Sequence, residues 1–313
     1  MNPKGPMLEA RGISKMYGQV RALNEIDLRL GPGVTGLLGP NGSGKSTLLK
    51  LFAGQLLPDT GEVRLLGADP FHEPRVLRGL GLCPEQDKFY EDMSGHDFVR
   101  ALTRLHGLTR DEAEQKTYAA MKRVGMERFG FKKMREMSRG MRQRTKIAQA
   151  IAHDPPVVLL DEPLTGADPV ARADLIALIR SLGEEGRCVV VSSHVLHEVE
   201  AMTHDVVFIR YGRLRAHGDI LRLRTLLDDR PYRILLDVDQ PRAVAARLMA
   251  LPFVQAAQVL EGEPSPLEIT TTDLDTAGRE IPRVVSEMGG VVRGFTSPDA
   301  DLESLYRYLI SRR

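Results

Sequence analysis

Gly39-Pro40-Asn41-Gly42-Ser43-Gly44-Lys45-Ser46-Thr47 stands between an apolar run, residues 34–38, and a stretch, residues 45–52, whose apolar spacing suits a helix. A glycine-rich loop ending in Gly-Lys-Ser, placed after a strand and before a helix, predicts a phosphate cradle. Glycines let consecutive backbone N–H groups converge on phosphate oxygens, and the helix N-terminus adds partial positive charge. Lys45 can supply a full charge to the β- and γ-phosphates, and the Ser46 hydroxyl can ligate Mg²⁺. Gly39, Pro40, Asn41, Gly42, Ser43, Gly44, Lys45, Ser46 and Thr47 are therefore the candidate triphosphate contacts. A guanine-reading Asn-Lys-x-Asp element is missing, because the asparagines are Asn2, Asn24 and Asn41 and none precedes a lysine. Tyr17, upstream, offers a ring to stack on adenine. ATP is the expected ligand.

Outward from the loop, short apolar runs alternate with helical patterns. Residues 8–13, 22–30, 34–38, 157–160 and 188–191 read as strands, and residues 94–152 as helices broken at Gly107, Gly125 and Gly130. This alternation implies a layered α/β domain, placed at residues 1–220. Residues 221–313 change character. Strands at 234–238, 254–260, 267–272 and 291–295, with helices at 242–250 and 278–288, give a β-α-β-β-α-β order, the ferredoxin-like pattern of a small α+β accessory domain. A closing helix puts Leu302, Leu305, Tyr306, Leu309 and Ile310 on one face.

Composition sets the class. The 313 residues are 42% hydrophobic and 27% charged, and Lys+Arg 43 against Asp+Glu 42 leaves a formal charge of +1. No global excess of charge points to nucleic acid. Cys83 and Cys188 are too few for a disulfide framework and suit a reducing cytosol. The N-terminus lacks the apolar core of a secretory signal, and no apolar run reaches the roughly 18 to 20 residues of a membrane span. A cytoplasmic, two-domain protein is expected.

A second constellation follows the loop. Val157-Val158-Leu159-Leu160-Asp161-Glu162-Pro163 is an apolar strand ending in two carboxylates. Neighbouring side chains on a strand point to opposite sides, so the two can divide the work. Asp161 can hold Mg²⁺, and Glu162 can orient and deprotonate an attacking water. Between loop and strand lies Met137-Ser138-Arg139-Gly140-Met141-Arg142-Gln143-Arg144. Here the chain resembles the ATP-binding subunits of ABC transporters. Ser138, Arg139, Gly140, Met141 and Arg142 resemble their signature sequence, in the form associated with ABC-2-type exporters. The resemblance orders the remaining motifs: stacking Tyr17, Walker A at residues 39–47, Walker B through Asp161, a D-loop with Asp168, and a switch His194.

The resemblance implies a P-loop NTPase fold of the ABC ATPase type: a RecA-like core, an antiparallel β subdomain and an α-helical subdomain. It implies ATP hydrolysis with Mg²⁺, with Lys45, Glu162 and His194 catalytic and Ser46, Gln86 and Asp161 on the metal. The signature would act in trans on the ATP of a second ATPase subunit, most simply in a homodimer, with a heterodimer left open. An integral membrane permease would be the further partner, at the cytoplasmic face of the membrane, for export of an unspecified substrate. One element departs from the family's pattern. The Q-loop places Gln directly after Pro, whereas Cys83-Pro84-Glu85-Gln86 puts Glu85 in that slot. Gln86 is preferred, because a carboxylate would repel the γ-phosphate, and Glu85 stays open.

Other readings remain. Lys132, Lys133, Arg135, Arg139, Arg142, Arg144 and Lys146, against Glu136, form a basic segment of the kind that binds nucleic acid. Placed around the signature, its charge instead suits an incoming triphosphate, and no nucleic-acid partner is expected. A soluble ABC ATPase acting on ribosomes or DNA, and an importer ATPase, are the alternatives to export.

Overall fold

The strands form where β-branched and aliphatic residues run between turn residues, and several of the helices open on a side-chain cap. The computed structural model describes residues 5–225, 231–261 and 266–298. The chain divides into two compact units, Met1–Asp219 and Ile220–Arg313.

In the first unit, β1 (Leu8–Tyr17), β2 (Val20–Leu30) and β4 (Thr60–Leu65) make an antiparallel sheet in the order β2-β1-β4. β1 runs further than residues 8–13, because Tyr17 pairs with Val20 across a tight turn. A six-stranded sheet holds β3 (Gly33–Leu38), β5 (Leu80–Cys83), β6 (Val157–Asp161), β7 (Cys188–Ser193), β8 (Asp205–Arg210) and β9 (Arg213–Asp219). Its order is β5-β6-β7-β3-β8-β9, parallel except for β9 against β8. β6 and β7 are buried at every position, as strands covered on both faces must be. Cys188 on β7 and Cys83 on β5 are fully buried, and burial pushes both thiols up to about 12, so they act as small apolar packers.

Helix α1 (Lys45–Phe52) follows β3 and buries Leu48, Leu49, Leu51 and Phe52. The helical part comprises α2 (Gly95–Leu105), α3 (Arg110–Arg123) and α4 (Arg139–Ile151). Each start has a cap: Ser94 accepts from the Asp97 N–H, Thr109 and Glu112 form a capping box, and Ser138 accepts from the Met141 N–H. Gly107 and Gly125 carry left-handed backbone where α2 and α3 end, as the breaks in the sequence predict. α5 (Pro169–Glu184), capped by Asp168, and α6 (Leu196–Glu200) complete the unit.

The second unit begins with α7 (Ile220–Thr225). β10 (Tyr232–Val238), α8 (Pro241–Leu248), β11 (Val254–Val259), β12 (Leu267–Thr271), α9 (Leu274–Glu287) and β13 (Val292–Thr296) follow, in the sheet order β11-β12-β10-β13 with antiparallel pairing throughout. Its core gathers Ile234, Leu236, Leu248, Leu267, Ile269, Ile281 and Val285. α9 starts earlier than residue 278 because Asp273 caps it, accepting from the Thr276 N–H, and Pro282 lies inside the helix. The closing helix expected over residues 302–310 lies outside the described residues. Among the described residues no helix is long and apolar enough to cross a membrane.

Candidate nucleotide site

β3 ends at Leu38 and the chain turns through the glycine loop into α1, so the loop sits at the carboxyl edge of the parallel sheet. Gly44, the residue before α1, has φ 111°, and a Cβ there would lie 2.5 Å from the Ala22 carbonyl oxygen. Only glycine lets the loop close on the β2 side. Lys45 is 7% exposed and folds back, its Nζ donating to Gly39 O at 2.8 Å and Pro40 O at 3.3 Å. Burial lowers its pKa, and the charges of Glu162, Asp161 and Glu85 pull it back up. The Ser43 hydroxyl is buried without a hydrogen-bond partner, a polar atom turned into the loop.

A pocket of about 440 Å³ is lined by Tyr17, Arg21, Asn41, Gly42, Ser43, Gly44, Lys45, Ser46, Thr47, Glu85 and Glu162. The structure thus brings together Tyr17, most of the loop and Glu162. Tyr17, at the end of β1, is 47% exposed.

The carboxylate pair is built at the end of β6. Asp161 is buried, and its Oδ1 accepts from the Ser192 hydroxyl at 2.5 Å. The same Ser192 oxygen accepts from the Glu162 N–H at 2.9 Å. Glu162 has φ 50°, a left-handed backbone rare for a side-chain-bearing residue and costing of order 1 kcal/mol or more. That turn separates Glu162 from its neighbour and sends it to the pocket. Its Oε2 lies 2.9 Å from His194 Nδ1. Burial raises the Glu162 pKa, while the His194 bond and the charge on Lys45 oppose the rise. A carboxylate that holds protons more tightly than usual is a better base. Nothing in the sequence pattern separates Ser192 from the neighbouring Ser193; the register of β6 on β7, which pairs Asp161 with Ser192, makes it the bridging hydroxyl.

The signature caps α4 on a different flank. Ser138 is its N-cap, and the Arg139 guanidinium end lies across Gly166, whose φ is 79° and whose missing Cβ leaves the room. Gly140 is open above, with nothing within 4 Å of a Cβ there. Arg142 makes a two-pronged pair with Glu91, at 2.7 and 2.8 Å, and lies over the Phe89 ring. Asp168 is used locally, accepting from the Ala171 N–H at 2.9 Å. These groups do not line the loop pocket of their own chain. The basic segment is largely neutralised: Arg135, Arg142, Arg144 and Lys146 pair with Asp92, Glu91, Asp174 and Asp87.

Glu85 and Gln86 separate. Lys146 Nζ holds the turn by donating to Pro84 O at 3.1 Å and Glu85 O at 2.9 Å. Glu85 lines the loop pocket; Gln86, the expected metal contact, lines instead a second cavity of about 360 Å³ with Leu82, Phe89, Phe98 and Leu102. The Glu85 charge thus acts on Lys45, whereas the amide lies at the other cavity.

Among the described residues no three His, Cys, Asp or Glu side chains converge as a protein-only metal cage. The donors present are hard oxygens, Ser46 hydroxyl with the Asp161 and Glu85 carboxylates, and they fit a Mg²⁺ that takes its remaining ligands from phosphate and water.

Comparison with known proteins agrees with this geometry. Residues 23–165 match the ABC transporter family. Over 302 residues the chain is 29% identical to an uncharacterized ABC transporter ATP-binding protein of Bacillus subtilis, spanning 96% of this chain and 98% of that one. It is 32% identical over 245 residues to the daunorubicin/doxorubicin resistance ATP-binding protein of Streptomyces peucetius, covering 78% and 74% of the two chains. A solved bacterial ABC transporter cassette, dimeric in its structure, superposes with a TM-score of 0.63 at 25% identity over 68% of this chain and 98% of that one. With a phosphate loop, a buried Asp161 and a His194-bonded Glu162 on such a sheet, the chain belongs to the ATP-binding proteins of ABC transporters and is an ATPase.

Proposed function

We propose that the chain powers export through a separate membrane permease, binding and hydrolysing ATP at the pocket formed by residues 1–220. The observation that carries the chemistry is the convergence of Lys45 and the His194-bonded Glu162 on one pocket. Lys45 holds the β- and γ-phosphates, Tyr17 stacks on adenine, and Glu162 takes a proton from the attacking water. His194 positions that water and keeps Glu162 ionised. Ser46 and Asp161 would hold Mg²⁺, which would supply charge neutralisation at the phosphates.

The open face at Gly140 and the cap at Ser138 suit a role in trans, closing over ATP on a second copy of the chain. Asp168 links the two sites. The dimeric cassette that superposes on this chain supports that assembly. Export is favoured by the signature variant and by the Streptomyces peucetius relative, whose name carries drug resistance. The permease contact is placed at the apolar cavity beside Phe89 and Phe98, which Gln86 also lines. Residues 221–313 act as an accessory domain that tunes dimer contact.

The test is fractionation. Expressed with its membrane permease, the chain should sediment with membranes and release with that subunit in detergent; expressed alone it should remain in the supernatant. Membrane association without any integral partner, or salt-sensitive binding to ribosomes or DNA, would overturn the reading.

A further inference from the structure

Glu198 on α6 is 5% exposed, and a carboxylate so buried needs partners. Its two oxygens are shared between two elements. Oε1 lies 3.0 Å from Arg172 Nε on α5, and Oε2 accepts from the Ser193 hydroxyl at 3.3 Å. Ser193 in turn accepts from the Val195 N–H at 3.0 Å, so its side chain closes the turn that carries His194. His194 needs that closure. Its side chain is half exposed, so packing alone does not fix the ring that meets Glu162 at 2.9 Å. Arg172 is itself anchored at the start of α5, where its backbone N–H donates to Asp168 O at 2.8 Å and its Nη2 to Ala167 O at 3.5 Å.

The order Arg172, Glu198, Ser193, His194, Glu162 runs without a gap from α5 to the carboxylate at the pocket. Neither Arg172 nor Glu198 lines that pocket. We infer that the Arg172–Glu198 pair is a positioning strut for hydrolysis: it sets the turn at residues 193–195, and through it the place of the His194 ring on Glu162. The role rests on the proposed work of His194 and Glu162 and adds two residues to it. Hydrolysis depends steeply on geometry, and a displacement of about 1 Å in a group that orients the reactants can cost about 10²-fold. Arg172 Nε makes no aligned hydrogen bond, so what it offers Glu198 is charge rather than a fork of donors. A lysine can supply the same charge. Without a cation there, the cost of burying an unpaired carboxylate draws Glu198 toward water and away from Ser193.

The experiment measures ATP hydrolysis by the full-length protein with Mg²⁺, and beside it the binding of a fluorescent ATP analogue. Glu198→Gln and Arg172→Met should each lower kcat by about tenfold or more, while KM and analogue affinity stay within about twofold of wild type. Arg172→Lys should recover most of the kcat that Arg172→Met loses. Combined with His194→Ala, Glu198→Gln should cost nothing further, because the strut acts only through that ring. Urea midpoints follow the fold of every variant; should Glu198→Gln not fold, Arg172→Met, at a partly exposed side chain, carries the same comparison. Wild-type kcat in both single variants overturns the strut while leaving the nucleotide site standing. So does a loss that multiplies in full onto that of His194→Ala, the mark of a merely structural tie. A His194→Ala variant that turns over like wild type overturns the site reading itself.

Discussion

Replacing Ser192 with Ala removes one oxygen that does two things. Its hydroxyl donates to Asp161 Oδ1 at 2.5 Å and accepts from the Glu162 N–H at 2.9 Å, and the residue is fully buried. A hydrogen bond to a carboxylate contributes roughly 1.5–3 kcal/mol and a neutral one about 1 kcal/mol. The alanine also leaves a buried carboxylate oxygen and a backbone N–H with fewer partners, and it opens too little space for water to replace the hydroxyl well. Ser192→Ala should therefore cost about 2–4 kcal/mol. Urea unfolding, followed as the shift in midpoint at unchanged slope, reads this. Because Asp161 loses its anchor, the Mg²⁺ concentration giving half-maximal ATP hydrolysis should rise as well. A stability change below about 0.5 kcal/mol, with the Mg²⁺ requirement unaltered, would refute the bridging role, since that is the range of an ordinary surface substitution.

Three further outcomes follow from the same geometry. His194→Ala removes the bond that opposes the burial-driven rise in the Glu162 pKa, so the carboxylate form is lost at higher pH; the acid limb of residual hydrolysis should move upward, and a limb that stays or moves down contradicts the pairing. His153, half-buried and stacked on His106, is held neutral with its pKa pushed from 6.5 to about 4 by desolvation, so the stability it contributes is present above pH 6.5 and lost as pH falls toward 4. His153→Gln, which keeps a donor for Leu80 O, should flatten the pH dependence of the unfolding midpoint across that window. Gly44→Ala sets a Cβ against the Ala22 carbonyl at φ 111° and should abolish binding of the fluorescent ATP analogue; retained affinity would show that the loop relaxes.

The fold class was legible because its signals are local. The glycine loop and the apolar runs of β6 and β7 each declare their conformation within a few residues. Ser192 was not legible as a bridge, since its role depends on which residue of β7 falls beside Asp161 in a pairing between segments far apart in sequence. Glu85 and Gln86 were read from motif position and from charge repulsion, and the structure separates them by the direction of the turn that Lys146 holds. The positive φ at Glu162 leaves no trace in the residue type, because glycine or asparagine is the usual marker of that backbone. In the second unit the start of α9 was set by Asp273 and Thr276, a cap that apolar spacing alone does not reveal.

Glu162→Gln tests the central claim most directly. The amide keeps the size of the side chain and can still meet His194, but it cannot take a proton from water. Phosphate release should fall by roughly 10²- to 10⁴-fold, the usual worth of a positioned general base. Affinity for ATP with Mg²⁺ should be retained, and size-exclusion chromatography with ATP should show the variant accumulating as a dimer. Turnover within a few-fold of wild type would remove Glu162 from catalysis and leave the His194-bonded carboxylate without the role its geometry assigns.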